Sequence, residues 1–311
     1  MMIHRIEFNR QSLIGSLTAE VEPLLRIQSG DTLRFAAPDA GWGVGESWAK
    51  RTKPVQRETP YDGGHGLIGP FYIEGSQPGM TLAIRFNEIV PGSYGFTSAG
   101  GYPNWQNQML KLTDIPDITL DWTLDAASAT GTCSLGGRDY TVSLRPFMGL
   151  IGMPPSKEGV YDTWPPRFCG GNIDCRELIA GSVLYLPVPV AGGYLSIGDG
   201  HAAQGDGEVS CQAIECPMDL VDVTVTLLPQ QGLTLPRAET PAGWITFGFH
   251  EDLNEATVQA LDGMLDLMGE QYGLSRVEAI GLGSAVIDLR ITQIVNGVKG
   301  VHALLPHGAF R

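Results

Sequence analysis

Between Phe168 and Glu215 the sequence concentrates side chains that bind cations and move protons. One cluster is Gly170-Gly171-Asn172-Ile173-Asp174; the other is the run Gly198-Asp199-Gly200-His201-Ala202-Ala203-Gln204-Gly205-Asp206-Gly207-Glu208. Asp199 and His201 are two apart, as are Asn172 and Asp174, and residues so spaced in an extended chain project to one face. Two such pairs on neighbouring strands would aim carboxamide, carboxylate and imidazole groups at one point. That is a ligand set for a divalent ion: imidazole with carboxylate suits zinc, and an oxygen-rich remainder suits manganese, magnesium or calcium. The interleaved glycines permit positive φ and close backbone approach. The competing reading is a Gly/Asp turn, in which each Asp bonds its own backbone and His201 is only hydrated.

Two further residues join the candidates. His65, in Gly63-Gly64-His65-Gly66, has free backbone on both sides and reads as a ligand, an acid/base group or a surface-loop histidine. Glu215 follows the apolar pair Ala213-Ile214, and reads as a partly buried base, an edge-strand carboxylate or an ion-pair partner of Arg145 or Arg167. Other chemistries have no foothold. There is no Gly-x-Ser-x-Gly elbow and no Gly-rich loop leading to Lys-Ser/Thr. Gly281-Leu282-Gly283 lies inside a helical pattern, not after a strand, so it is no dinucleotide fingerprint.

The elements that must hold these residues are mostly strands. Glycine, 41 of 311 residues, is about twice the ordinary share of ~7%, and 21 prolines add to it, so short elements joined by tight turns are expected. Thr32–Phe35, Leu82–Phe86, Tyr140–Leu144, Val183–Leu186 and Tyr194–Ile197 read as strands, and Val221, Val223, Val225 and Leu227 give a clear period of two. Trp42–Thr59 and Pro91–Gln108 read as exposed loops. Helices are expected late: one with Val258, Leu261, Leu265 and Met268 inward, ending near Gly273, and one capped by Ser275 and Glu278 with Val277, Ile280, Ala285 and Leu289 inward. Arg290–Val295 reads as a final strand. The fold class is therefore mainly β, a sandwich- or barrel-like body with a smaller C-terminal α/β unit. Its parts are residues 1–130, residues 131–235 with both clusters, and residues 236–311.

Charge and cysteine set the context. Lys plus Arg number 20 and Asp plus Glu 34, a net charge of −14, which argues against nucleic acid or an anionic membrane as partner. No apolar run reaches the ~18 residues of a membrane span, and the opening MMIHRIEFNR lacks a signal-peptide core. Five cysteines without paired spacing suggest buried thiols, not a disulfide framework. A cytoplasmic location is expected.

The same residues resemble the acetamidase/formamidase family. The matching pieces are Gly69-Pro70-Phe71-Tyr72-Ile73-Glu74-Gly75 with Pro78-Gly79, Arg145-Pro146-Phe147-Met148-Gly149 with Pro154-Pro155, and both clusters above. Gly181–Val188, Ala213-Ile214-Glu215 and Asp288–Gln293 complete them in the family's order. The resemblance implies an amidohydrolase that cleaves formamide or acetamide to carboxylate and ammonia, with a β-rich body, a divalent metal and a homo-oligomeric state. It carries over Asn172, Asp174, Asp199, His201, Gln204, Asp206, Glu208 and Glu215, and His65 on a looser match. The expected metal set is Asp174, His201, Asp199 and His65, with zinc the first expectation. Glu215, Asn172 and Asp206 are the expected catalytic residues, Glu215 as proton shuttle and Asn172 as oxyanion or substrate donor. Met80 and Cys169 stand where the family usually has an acidic residue and a histidine. The alternatives are hydrolysis of a larger amide or other C–N bond, shaped by Trp42, Tyr102, Trp105 and Trp164, a non-catalytic metal- or ligand-binding β protein, and a purely structural acidic module.

Overall fold

The computed structural model describes residues 1–229 and 232–310. Strand is the dominant regular structure, with a small helical part near the C-terminus. A nine-stranded sheet runs in the order Ile3–Ile6, Asp31–Ala37, Met218–Leu228, Thr81–Pro91, Val183–Pro187, Arg237–Thr240, Gly243–His250, Lys299–Pro306, Asp288–Gln293. Strands from residues 1–130, 131–235 and 236–311 all contribute to it. A second sheet runs Pro166–Arg167, Gly170–Asn172, Phe147–Gly152, Leu195–His201, Leu67–Ile73, Leu13–Ile14, with Leu25–Ile27 also on Leu67–Ile73. A third has four strands, Arg138–Ser143, Thr130–Leu135, Ile118–Asp125 and Tyr94–Ala99.

Apolar faces pack the first two sheets together. Asp31–Ala37 alternates buried and half-buried residues along its length, and Val221, Val223 and Val225 are fully buried. Leu33, Phe35, Ile84, Phe86 and the three valines meet Ile68, Phe71, Ile151, Leu195 and Ile197 in one core. Phe35 and Phe71 bridge the sheets at 6.4 Å between ring centroids. By contrast, Phe147–Gly152 and Leu195–His201 are buried at every residue, so they line more than one face: the core, and the site described below.

The expected strands all form, although Asp288–Gln293 is not the final one, since Lys299–Pro306 follows and pairs with it, and Pro91–Gln108 corrects the loop reading. It contains the strand Tyr94–Ala99, paired antiparallel with Ile118–Asp125, and the short helix Trp105–Met109. Ladder pairing and the Trp122 contact override a Gly/Ser-rich composition there. Both late helices exist, Leu253–Tyr272 and Arg276–Val286, with Gly273 at φ 68° and the Ser275/Glu278 capping box in place. Their inward stripes differ from expectation. Ala256, Ala260, Met264, Leu267 and Met268 face the core from the first, and Ala279 and Gly283 from the second. Val258, Val277, Ile280 and Leu289 are exposed. The cause is close packing: a Cβ placed on Gly248 of the adjoining strand would lie 1.9 Å from the Ala256 carbonyl oxygen, so small residues must face that strand.

Among the described residues no helix is long and apolar enough to cross a membrane. All five cysteines are free, four of them buried and Cys211 partly so.

Candidate active site and metal centre

The strand Phe147–Gly152 is the spine of the site. Asn172 pairs with Leu150 on one side, and His201 pairs with Phe147 on the other. Between them, the Gly149 carbonyl accepts the N–H groups of Ile173 (3.0 Å) and Asp174 (3.1 Å) and folds the chain after Asn172 back over the strand. Gly149 also leaves the space that the cluster occupies. A Cβ there would stand 2.6 Å from Asp174 Oδ1, 2.7 Å from His201 Cε1 and 2.9 Å from Asp199 Oδ2.

Convergence is achieved through strain as well as strand alternation. Asp174, Asp199 and Glu208 adopt positive φ, at 52°, 61° and 49°, a region costly for non-glycine residues and enriched at functional sites. Asp199 is therefore not in the extended conformation that its spacing from His201 suggested, yet its Oδ1 lies 3.5 Å from His201 Nε2. Glu215 Oε2 stands 3.3 Å from the same nitrogen, and Asp174 Oδ1 is 3.9 Å from Nδ1. Ligand atoms of Asp174, Asp199 and His201 all lie within 4.8 Å of one another, as do those of His201, Glu208 and Glu215.

Asn172, Asp174, Asp199, His201, Glu208 and Glu215 are each no more than 5% exposed. Within this set Asn172 Oδ1, Asp174 Oδ1, Asp199 Oδ1, His201 Nε2, Glu208 Oε2 and Glu215 Oε2 lack any hydrogen-bond partner among the described residues. Buried polar atoms are normally satisfied, and four carboxylates around one imidazole are electrostatically unbalanced. Burial accordingly raises the proton affinity of Asp174, Glu208 and Glu215, against the opposing pull of His201. For Asp199, burial is outweighed by His201 and His65, and its pKa falls. At His201 burial is outweighed by Glu215 and Asp199, and its pKa rises. A divalent cation fits this donor set, because it would satisfy the orphaned atoms and balance the charge.

The imidazole is oriented by two contacts. Gln204 Nε2 donates to the Asp174 carbonyl at 2.7 Å, which leaves Gln204 Oε1 as an acceptor 3.0 Å from His201 Nδ1. Nδ1 therefore carries a proton, and in the neutral ring, the form that binds a metal, the Nε2 lone pair faces the acids. Asn296 Nδ2 donates to Asp174 Oδ2 at 2.7 Å. Neither Gly149 nor Asn296 stands out in the sequence as a site residue, and Glu208 enters there only through the family resemblance.

His65 belongs to neither carboxylate–imidazole group. It stands in the wall of a cavity of about 340 Å³ that opens onto Asn172, Asp199, Glu208 and Glu215. Thr163 Oγ1 accepts its backbone N–H at 3.0 Å and lies 2.7 Å from Nδ1. Asp206 is not brought to the cluster. It is half-buried 3.8 Å from Arg290, which also pairs with Glu177 at 2.8 Å. Cys169 is likewise outside, its thiol 3.2 Å from the Met153 carbonyl and pushed up to about 12 by burial. Met80 packs half-buried against the core.

Comparison with known proteins bears on the fold and on the family likeness. The sequence profile of the Acetamidase/Formamidase family matches residues 158–311. A formamidase of Methylophilus methylotrophus is 27% identical over 65% of this chain and 60% of its own length. A putative formamidase of Schizosaccharomyces pombe is 60% identical over 49% of each chain. The chain thus spans about half to three-fifths of the length of these curated relatives. An acetamidase from Bacillus halodurans superposes with a TM-score of 0.83 at 28% identity, covering 97% of both chains. By its ordered motifs, its fold and these matches, the chain is similar to the acetamidase/formamidase family, whose profile covers its C-terminal half from residue 158.

Proposed function

We propose that this chain hydrolyses the C–N bond of short linear amides, giving a carboxylate and ammonia, at the acid cluster around His201. The observation that carries the reading is the convergence of six buried, unpartnered polar atoms beside one cavity. Asp174, Asp199 and His201 Nε2 would hold a divalent ion, and zinc is our first assignment because imidazole belongs to the set. When bound, such an ion supplies Lewis-acid polarisation of a carbonyl and acidifies a water molecule.

The protein's own groups account for the remaining steps. The Glu215 carboxyl is held by the Ala213 N–H at 3.1 Å, and its proton affinity is raised by burial. It is suited to take a proton from the attacking water and pass it to the departing nitrogen. Asn172 Oδ1 is a free acceptor beside the cavity and suits an amide N–H of the substrate; its carboxamide N–H groups remain the candidate donors to the carbonyl oxygen. His65, braced by Thr163, lines the substrate's side of the cavity. We assign Asp206 to holding Arg290 instead of to the chemistry. The reading includes a cytoplasmic homo-oligomer: free thiols suit a reducing compartment, and the exposed apolar side chains of Val277, Ile280, Leu282, Leu289 and Ile291 include candidates for burial against another copy.

The test combines elemental analysis with ammonia release from formamide and acetamide. His201→Ala is expected to lose its bound metal and to slow ammonia release by at least about a hundredfold. Full activity in metal-free protein overturns the metal assignment.

A further inference from the structure

Beside the acid cluster lies a second and larger cavity, about 670 Å³. It shares Trp164, Cys211, Gln212 and Asn296 with the first, and Asn296 is the residue hydrogen-bonded to Asp174. One residue therefore separates it from the candidate ligands. Sites for drug-sized molecules occupy about 300–1,000 Å³, so formamide would fill only a small part of it.

The chemistry of the lining is specific. Tyr102 and Trp164 are 67% and 51% exposed, large rings left without full packing, and Ala99, Val295 and the Gly100–Gly101 backbone continue the apolar surface. The polar side chains are largely engaged by their own loops. Asn104 Oδ1 accepts the Asn107 N–H at 2.7 Å, Asn107 Nδ2 donates to the Tyr102 carbonyl at 2.8 Å, and Gln212 Oε1 accepts the Ser98 N–H at 2.6 Å. Asp117, exposed within the lining, disfavours an anionic guest.

We propose that this cavity receives the acyl group of the substrate, so that the preferred substrates are primary amides of neutral, apolar acids bearing a branched or aromatic group. The inference rests on the amidase reading and moves its preferred substrate from the short amides named there to larger ones. The reaction balances as before: the amide C–N bond breaks, a C–O bond to water forms, and the products are the larger carboxylate and ammonia.

The experiment measures kcat/KM for ammonia release from formamide, acetamide, isovaleramide and phenylacetamide, with calorimetric titration of phenylacetamide. Phenylacetamide is expected to exceed acetamide by at least about tenfold, mainly through KM, because apolar burial acts on binding. That ratio should fall about tenfold or more in Ala99→Trp and, independently, in Val295→Trp; either folded variant suffices. Preference for formamide or acetamide, or a ratio unchanged in the variants, overturns the inference and leaves the amidase reading intact. No ammonia from any amide, with phenylacetamide binding that the variants lose, overturns the amidase reading and keeps the cavity as a ligand compartment. Absence of both turnover and binding overturns both.

Discussion

His201 has one nitrogen free because Gln204 occupies the other. The Gln204 amide is fixed by the Asp174 carbonyl, so it offers an oxygen, not an N–H, to His201 Nδ1. Gln204→Leu removes that acceptor and releases the ring from its tautomer. Metal affinity is expected to fall about 10- to 100-fold, the usual cost of losing such a support, as measured by competition with a chromophoric chelator; unchanged affinity would show that Gln204 does not set the tautomer. Gly149 makes a steric prediction at the same site. Gly149→Ala puts a methyl within 3 Å of three cluster side chains, so metal content should drop well below one per chain while far-ultraviolet circular dichroism stays native. A full metal complement would mean that the cluster relaxes around the methyl. The candidate site residues Asn172, Asp174, Asp199 and His201 were legible in the sequence because they sit in short glycine-spaced runs. Asn296 and Thr163 were not, because they act across 122 and 98 residues of chain through single hydrogen bonds. Asp206 was expected among the catalytic residues on the family resemblance, but it stands beside Arg290, outside the cluster.

The helices show where periodicity stops being informative. Caps are local, so Ser275, Glu278 and Gly273 could be read directly. The buried face could not, because it is chosen by the partner surface. Helix Leu253–Tyr272 lies so close to the strand Gly243–His250 that Thr246 Oγ1 donates to the Ala260 carbonyl, at 2.6 Å. At that crossing Ala256 and Ala260 face inward and Val258 turns out to solvent, while Met264, Leu267 and Met268 are buried further along the helix. Gly248→Ala tests this contact. Its new methyl would meet the Ala256 carbonyl oxygen and the Ala260 nitrogen, at 1.9 and 2.8 Å. Both are backbone atoms, so the helix must shift bodily, and a loss of about 1–3 kcal/mol is expected in urea unfolding. A loss below about 0.5 kcal/mol would show that the helix is more loosely held than its packing indicates.

The order of nine strands in the main sheet joins the two ends of the chain through pairings that no local pattern encodes, although most of the individual strands could be read. Among its last strands, Asp288–Gln293 and Lys299–Pro306 enclose His302, which is fully buried. Its Nδ1 is 2.8 Å from Thr292 Oγ1, while Nε2 has no hydrogen-bond partner among the described residues. Burial, with Arg290 beside it, lowers its pKa from 6.5 to about 4. Between those two values the unfolded chain takes up a proton that the folded chain refuses, so stability falls as pH drops through the window. The penalty is absent above about pH 6.5 and complete below about pH 4, on the order of 3 kcal/mol. Other groups titrate in the same range, and in a chain of net charge −14 protonation of surface acids relieves repulsion and acts in the opposite direction. The informative quantity is therefore a difference. His302→Gln keeps much of the volume and removes the titration, so the unfolding free energy of the native chain relative to this variant should be constant from pH 8 to 7 and decline by about 1.4 kcal/mol per pH unit near pH 5. A difference that stays level down to pH 4 would mean that His302 accepts its proton without opening the sheet.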